Sequence, residues 1–234
     1  MQNLSARAVP NHYGTAWIST ASKLVMVNYP QTLGVTAIMF LTHFIGLRAG
    51  PIGGPILGII TSFLVPGIFV ISADYMKFEK SEFMKLFIAL QDKELFSRVV
   101  PYIGFVFAYT LFNSLFLPTQ PFASFLLSLV FTPIALFAVP LMTFHKMSFR
   151  ESITFSIDAA IKNIIPLLIL GVCLSILLLS LLILLVLPLF FYGLPLFYLL
   201  FYPVYASVFL GLDVDTLNAE LKRRVEGSVP STMG

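Results

Sequence analysis

The side chains in this chain best able to do chemistry are few and far apart. His12, His43, His145 and Cys173 are separated by 31, 102 and 28 residues. A metal site needs three or four His, Cys or carboxylate groups converging within about 2.0–2.3 Å of one ion, and no spacing in the sequence has that form. HExxH, a nucleophile elbow, a P-loop and GxGxxG do not occur. The single cysteine cannot close an internal disulfide. No catalytic, cofactor-binding or metal-binding residue is assigned, no cofactor is expected, and the chain is read as not an enzyme.

What chemistry remains depends on where polar groups sit in an apolar chain. Only 11% of the 234 residues are charged, against roughly a quarter in an average soluble domain, 58% are hydrophobic, and mean hydropathy is +0.94. This is the composition of an integral membrane protein. Apolar segments of the ~20 residues that cross a bilayer lie near 31–47, 52–74, 101–117, 122–144, 164–187 and 192–211. The last two are divided at PLFFYGLP, where Pro188, Gly193 and Pro195 break the helix pattern. His43 falls deep in the first segment and Asp74 at the end of the second, so both are candidate intramembrane polar residues. His43 is expected to be neutral and to hydrogen-bond across helices, and Asp74 to cap its helix or meet Lys77. No Asp or Glu lies in the middle of a segment, which removes the carboxylate relay of an ion-coupled carrier.

Charge sets the orientation. Thirteen of the fourteen Lys and Arg residues fall in segments 1–30, 75–100, 145–163 and 212–234, and only Arg48 lies elsewhere. With six crossings, the positive-inside bias places both termini in the cytoplasm. The first fourteen residues lack the apolar core of a secretory signal and read as a cytoplasmic tail, as do residues 213–234, with the six-span membrane domain between them.

The prolines suggest an internal repeat. Pro30, Pro101 and Pro166 each precede or open an odd segment, and Pro66, Pro133 and Pro203 lie inside even ones, at separations of 65–71 residues. Pairs at Pro51 and Pro55, Pro118 and Pro121, and Pro188 and Pro195 mark the outer turns. The expected architecture is all-α, three helical hairpins of about 70 residues, with Pro66, Pro133 and Pro203 as candidate hinges.

Amphipathic segments join the hairpins. Ser148 and Glu151 form an SxxE capping box, and Phe149, Ile153, Ile157, Ala160, Ile161 and Ile164 follow at helical spacing. Phe83, Leu86, Phe87 and Leu90 make a second stripe, and Trp17, Ala21, Leu24 and Val25 a third. They serve either as elbows between hairpins or as docking faces, and Trp17, Phe83, Phe87, Phe149 and Ile153 are the candidate lipid or partner contacts. Lys222, Arg223 and Arg224 form the best cationic patch. Membrane lipids and a membrane-protein partner are the expected associates; nucleic acid is not.

The Trp17 helix followed by NYP, and SFRESITFSIDAAIKNIIP followed by two segments and YPVYASVF, resemble a broad group of uncharacterised bacterial multi-span inner-membrane proteins. The group is similar to the membrane domain found beside some glycerophosphodiester phosphodiesterases, and the resemblance covers about residues 15–212. It implies an inner-membrane location and six helices, with no catalytic residues to carry over. The expected role is a non-enzymatic accessory or scaffold protein; the alternative is a lipid or amphiphile transporter bending at the even-segment prolines. Topology reporters fused at Thr119 or Tyr192 are expected to read out as external and one at Glu226 as cytosolic; the opposite pattern at either end refutes the orientation.

Overall fold

A computed structural model of the chain describes residues 4–48, 52–77, 81–116, 120–184 and 188–227. The outer turns carrying Pro51 and Pro118 and the end of the fifth expected segment, 185–187, lie outside these residues. All regular structure among the described residues is helical. In order, the helices are α1 Tyr13–Val27, α2 Tyr29–Arg48 and α3 Gly53–Met76, then a 3₁₀ turn Phe83–Phe87 leading into the single turn α4 Ile88–Gln91. Next come α5 Lys93–Phe116, α6 Pro121–Phe144, α7 Phe149–Lys162 and α8 Ile164–Leu184. A π-helical turn Leu189–Gly193, α9 Leu194–Tyr205 and a second π turn Ala206–Leu210 run continuously, and α10 Val214–Gly227 ends the described chain.

Four of these, α3, α5, α8 and the 189–210 run, are long and apolar enough to cross a membrane. A fifth crossing is available if α1 and α2, which meet at an angle of 105°, count as one broken span. α6 contributes an apolar stretch over Phe131–Phe144.

The bend follows from Asn28. Its side-chain amide donates to the Leu24 carbonyl, closing α1, and its own carbonyl accepts the Thr32 hydroxyl at 2.8 Å, opening α2. Asn163 repeats the arrangement between α7 and α8: its backbone torsions of −120° and 26° nearly equal the −118° and 29° of Asn28. Asn163 is also fully buried, accepting from the Val9 amide and donating to the Arg7 carbonyl. The N-terminal residues 4–10 are thereby strapped across this elbow.

α1 lies inside the fold, packed on α8, α9 and α10. Trp17, Ala21, Leu24 and Val25 are fully buried, so the predicted stripe is real but faces protein. Trp17, expected at a lipid or partner surface, instead donates its indole N–H to Ser207 Oγ at 2.9 Å. A buried indole needs such a partner, and Ser207 supplies it. α10 clamps the other side through Lys23 to Asn218 and His12 to Asp215, each at 2.9 Å.

Two connectors depart from expectation. The Phe83 stripe does not form one amphipathic helix: Asp92 Oδ1 accepts from the Glu94 and Leu95 amides and starts α5 eight residues before Pro101. Pro101 therefore lies within α5 and does not open it. Along this connector Leu86 and Ala89 are buried, whereas Phe83 and Leu90 are exposed. In α7, Ser152, Ser156 and Ala159 are fully buried, whereas Ile157 and Ile161 are exposed, Ile161 to 69%. Small residues permit close helix contact, and α7 packs chiefly on α6. The capping box is present: Ser148 Oγ accepts from the Glu151 amide, and Glu151 accepts from the Ser148 amide. The Ser148 hydroxyl, which donates to the Glu151 carboxylate at 2.7 Å, and then the Ser148 amide lower the Glu151 pKa.

Close approach also governs α3. A Cβ on Gly58 would lie 3.0 Å from Val106 of α5, and one on Gly67 would collide with the Leu86 backbone. Hydroxyls in the apolar helices return to their own i−4 carbonyls, as Thr36, Ser62 and Thr110 do at 2.7–2.9 Å, which satisfies them without water. Replacing Trp17 by Ala is expected to destabilise the fold by about 3–5 kcal/mol, while Phe83→Ala shifts it by well under about 1 kcal/mol. Equilibrium unfolding in mixed micelles measures both, and equal losses contradict the burial of α1.

Candidate functional site

An apolar cleft of about 570 Å³ lies between α6 and α8. α6 packs chiefly on α7, and α8 chiefly on α1. Held by different partners, the two helices stand apart. One wall is Ser128, Thr132, Pro133 and Leu136 of α6; the other is Ile164, Leu167, Leu168, Gly171 and Leu174 of α8. Ile157, Ala160 and Ile161 of α7 close one end, and Phe197, Leu200 and Phe201 of α9 form the floor. The size falls within the roughly 300–1,000 Å³ of small-molecule sites. No charged side chain lines it among the described residues. The Ser128 hydroxyl is already engaged with Tyr109 Oη and the Ser124 carbonyl. The lining is apolar apart from Ser128 and Thr132.

A second, smaller cavity of about 220 Å³ lies between α2, α3 and α9. Met39, His43, Thr61, Val65, Ile68, Phe69, Ser72, Phe197, Tyr198 and Phe201 line it. Phe197 and Phe201 thus belong to both cavities, and their rings meet edge to face at 4.9 Å. They are the partition between an apolar compartment and one that carries polar groups. His43 does not reach across helices as expected. Its Nδ1 lies 2.7 Å from the Met39 carbonyl of its own helix, and because a carbonyl only accepts, Nδ1 carries the proton.

Polar groups gather at the end of α3. Asp74, buried to within 8%, accepts from Ser81 Oγ at 2.7 Å and from Lys85 Nζ at 2.8 Å. Its partner is Lys85 and not Lys77, because Lys77 sits on the helix's own C-cap whereas the 3₁₀ turn folds Lys85 back over α3. Nearby, His145 Nε2 is hydrogen-bonded to Tyr205 Oη at 2.7 Å. Burial lowers the His145 pKa.

Of the other expected site residues, Pro133 lines the cleft, while Pro66 and Pro203 are buried inside α3 and α9. Phe149 packs on Phe105 at 5.9 Å, Ile153 and Phe87 are half-buried, and Phe83 is exposed. Lys222, Arg223 and Arg224 are exposed on α10, where Glu220 pairs with Arg223 and Arg224. The hinge candidates and the aromatic contacts are not brought to one place; Pro133 alone reaches the cleft. Sequence reasoning did not find the α8 wall. The available signal was α8 itself, with mean hydropathy 2.9 and no polar face, a helix that offers lipid and ligand the same surface.

Comparison with known protein families, curated proteins and solved structures gives no match for this chain.

A lowered histidine pKa means that the unfolded chain binds a proton at higher pH than the folded one. The stability from the neutral His145 is complete above the ordinary histidine range and is lost as pH falls through that range toward the folded value. The unfolding midpoint is expected to drop across that window, and less so in His145→Gln; identical profiles for the two proteins contradict the assignment.

Proposed function

We propose that this chain is a non-enzymatic bacterial inner-membrane protein with six crossings and cytoplasmic termini that binds a lipid or lipid-like amphiphile. The observation that carries this reading is the uncharged cleft of about 570 Å³ between α6 and α8. Its α8 wall continues into residues open to the surroundings, Leu168, Val172 and Ile176 among them, so an acyl chain has a lateral route from the bilayer into the cleft.

The six-crossing plan draws on the coincidence of each apolar segment with one helix, including α2 and α6. Three repeated hairpins are supported by the matched elbows at Asn28 and Asn163, each followed by a proline in the first turn of the next helix, Pro30 and Pro166. The repeat is weakest in the middle hairpin, where Pro101 is internal. A bilayer location is consistent with polar groups being satisfied inside their own helices.

An accessory or scaffold role rests on another surface. Phe83, Met84 and Leu90 are exposed on the connector between α3 and α5, where a membrane-protein partner would meet them. The two readings separate on purification. Mild-detergent isolation is expected to yield lipid enriched over the bulk membrane. Gly171→Trp, at a position where an added Cβ meets nothing within 4 Å, is expected to fill the cleft and reduce that lipid severalfold without lowering the unfolding midpoint. Unchanged lipid in this variant, with a partner lost on Phe83→Ser, favours the scaffold reading.

A further inference from the structure

Resting on the cleft reading, we propose that the cavity behind Phe197 and Phe201 is the polar subsite of the same ligand, and that the ligand is an uncharged long-chain amphiphile ending in a hydroxyl. The argument is a count of donors and acceptors. His43 Nδ1–H is committed to the Met39 carbonyl, and in the tautomer this bond selects Nε2 is an acceptor. Thr61 donates its hydroxyl hydrogen to the Leu57 carbonyl at 2.8 Å, and Ser72 donates to the Ile68 carbonyl at 2.7 Å. Both oxygens keep lone pairs and no free hydrogen. Tyr198 brings the one remaining hydroxyl donor in the lining.

The cavity therefore presents mainly acceptors, and what complements acceptors is a donor. A charged donor is disfavoured: among the described residues neither cavity is lined by a carboxylate, and an ammonium ion in such surroundings would be unpaired. A carboxylate ligand has no hydrogen to give. A hydroxyl satisfies the site, with the chain lying in the larger cleft and its hydroxyl end reaching the smaller cavity once the contacting rings of Phe197 and Phe201 turn apart. Those rings, half-buried and joined edge to face, are the barrier the ligand must part, and a small uncharged end group demands the least displacement.

The test uses the full chain in nanodiscs, with tritiated hexadecanol as the probe and unlabelled hexadecanol or its methyl ether as competitors. The ether keeps the chain and the oxygen and lacks the donor. Hexadecanol is expected to compete about five- to tenfold better than the ether, the worth of one hydrogen bond. His43→Phe should abolish that preference by weakening hexadecanol alone. Thr61→Val, nearly isosteric, serves where the histidine variant fails to fold, and should reduce the preference in the same sense. Equal competition by alcohol and ether, or equal weakening of both by Thr61→Val, overturns the hydroxyl subsite and leaves the cleft standing. Absence of specific hexadecanol binding to the folded wild-type protein overturns the hydroxyl subsite, and the cleft reading falls with it only if no lipid copurifies either.

Discussion

The fold is organised by the burial of α1. A helix that carries a tryptophan with its N–H on Ser207 has to remain where that partner is. The 105° turn at Asn28 then sends α2 away from it. α8 is drawn to α1 at Gly14, where a Cβ would lie 2.6 Å from the Pro166 carbonyl oxygen; only glycine lets the two backbones come so close. With α8 held there and α6 held by the small-residue face of α7, the space between α6 and α8 is left unfilled. The cleft is a consequence of which helices are tied to which.

The same constraint bears on α9. It forms the floor of one cavity and a wall of the other, and it has π turns at both ends. A π turn takes an extra residue into the helix and leaves carbonyls imperfectly paired, a feature that recurs at functional sites. Pro203 adds to this, since it cannot donate to the carbonyl four residues before it. Both features lie in a helix whose buried aromatic residues Tyr198, Tyr202 and Tyr205 resist displacement. The resulting arrangement is irregular in its backbone and firmly packed through its side chains. That combination suits a helix presenting Phe197 and Phe201 to two compartments.

Much of the secondary structure could be read from residue types. The SxxE box marks the start of α7, Asn163 its end, and the long apolar runs become α3, α5, α6, α8 and α9. The α5 start could not be read in the same way, because Pro101 competed with Asp92 as a start signal and the aspartate's two amide bonds prevailed. The site was less legible. His43 and Pro133 were marked, but nothing local distinguishes Phe197 and Phe201 from the other phenylalanines in this Phe-rich chain, 24 in all. Their role arises only when α2, α3, α6 and α8 arrive on either side of α9.

The two amphipathic stripes that behaved oppositely show why. In water an apolar stripe marks the face that must be covered, and the Trp17 stripe follows that rule because its neighbours offer a hydrogen-bond partner and room for aromatic volume. Close helix contact instead favours small residues, because a larger side chain would hold the two backbones apart. α7 accordingly buries Ser152, Ser156 and Ala159 and turns Ile157 and Ile161 outward. Those outward isoleucines, with Ala160, then close the end of the cleft. The sidedness of a stripe in this chain therefore depends on which helix it meets as well as on periodicity, and isoleucines that periodicity alone would place in the core are left to line the cleft.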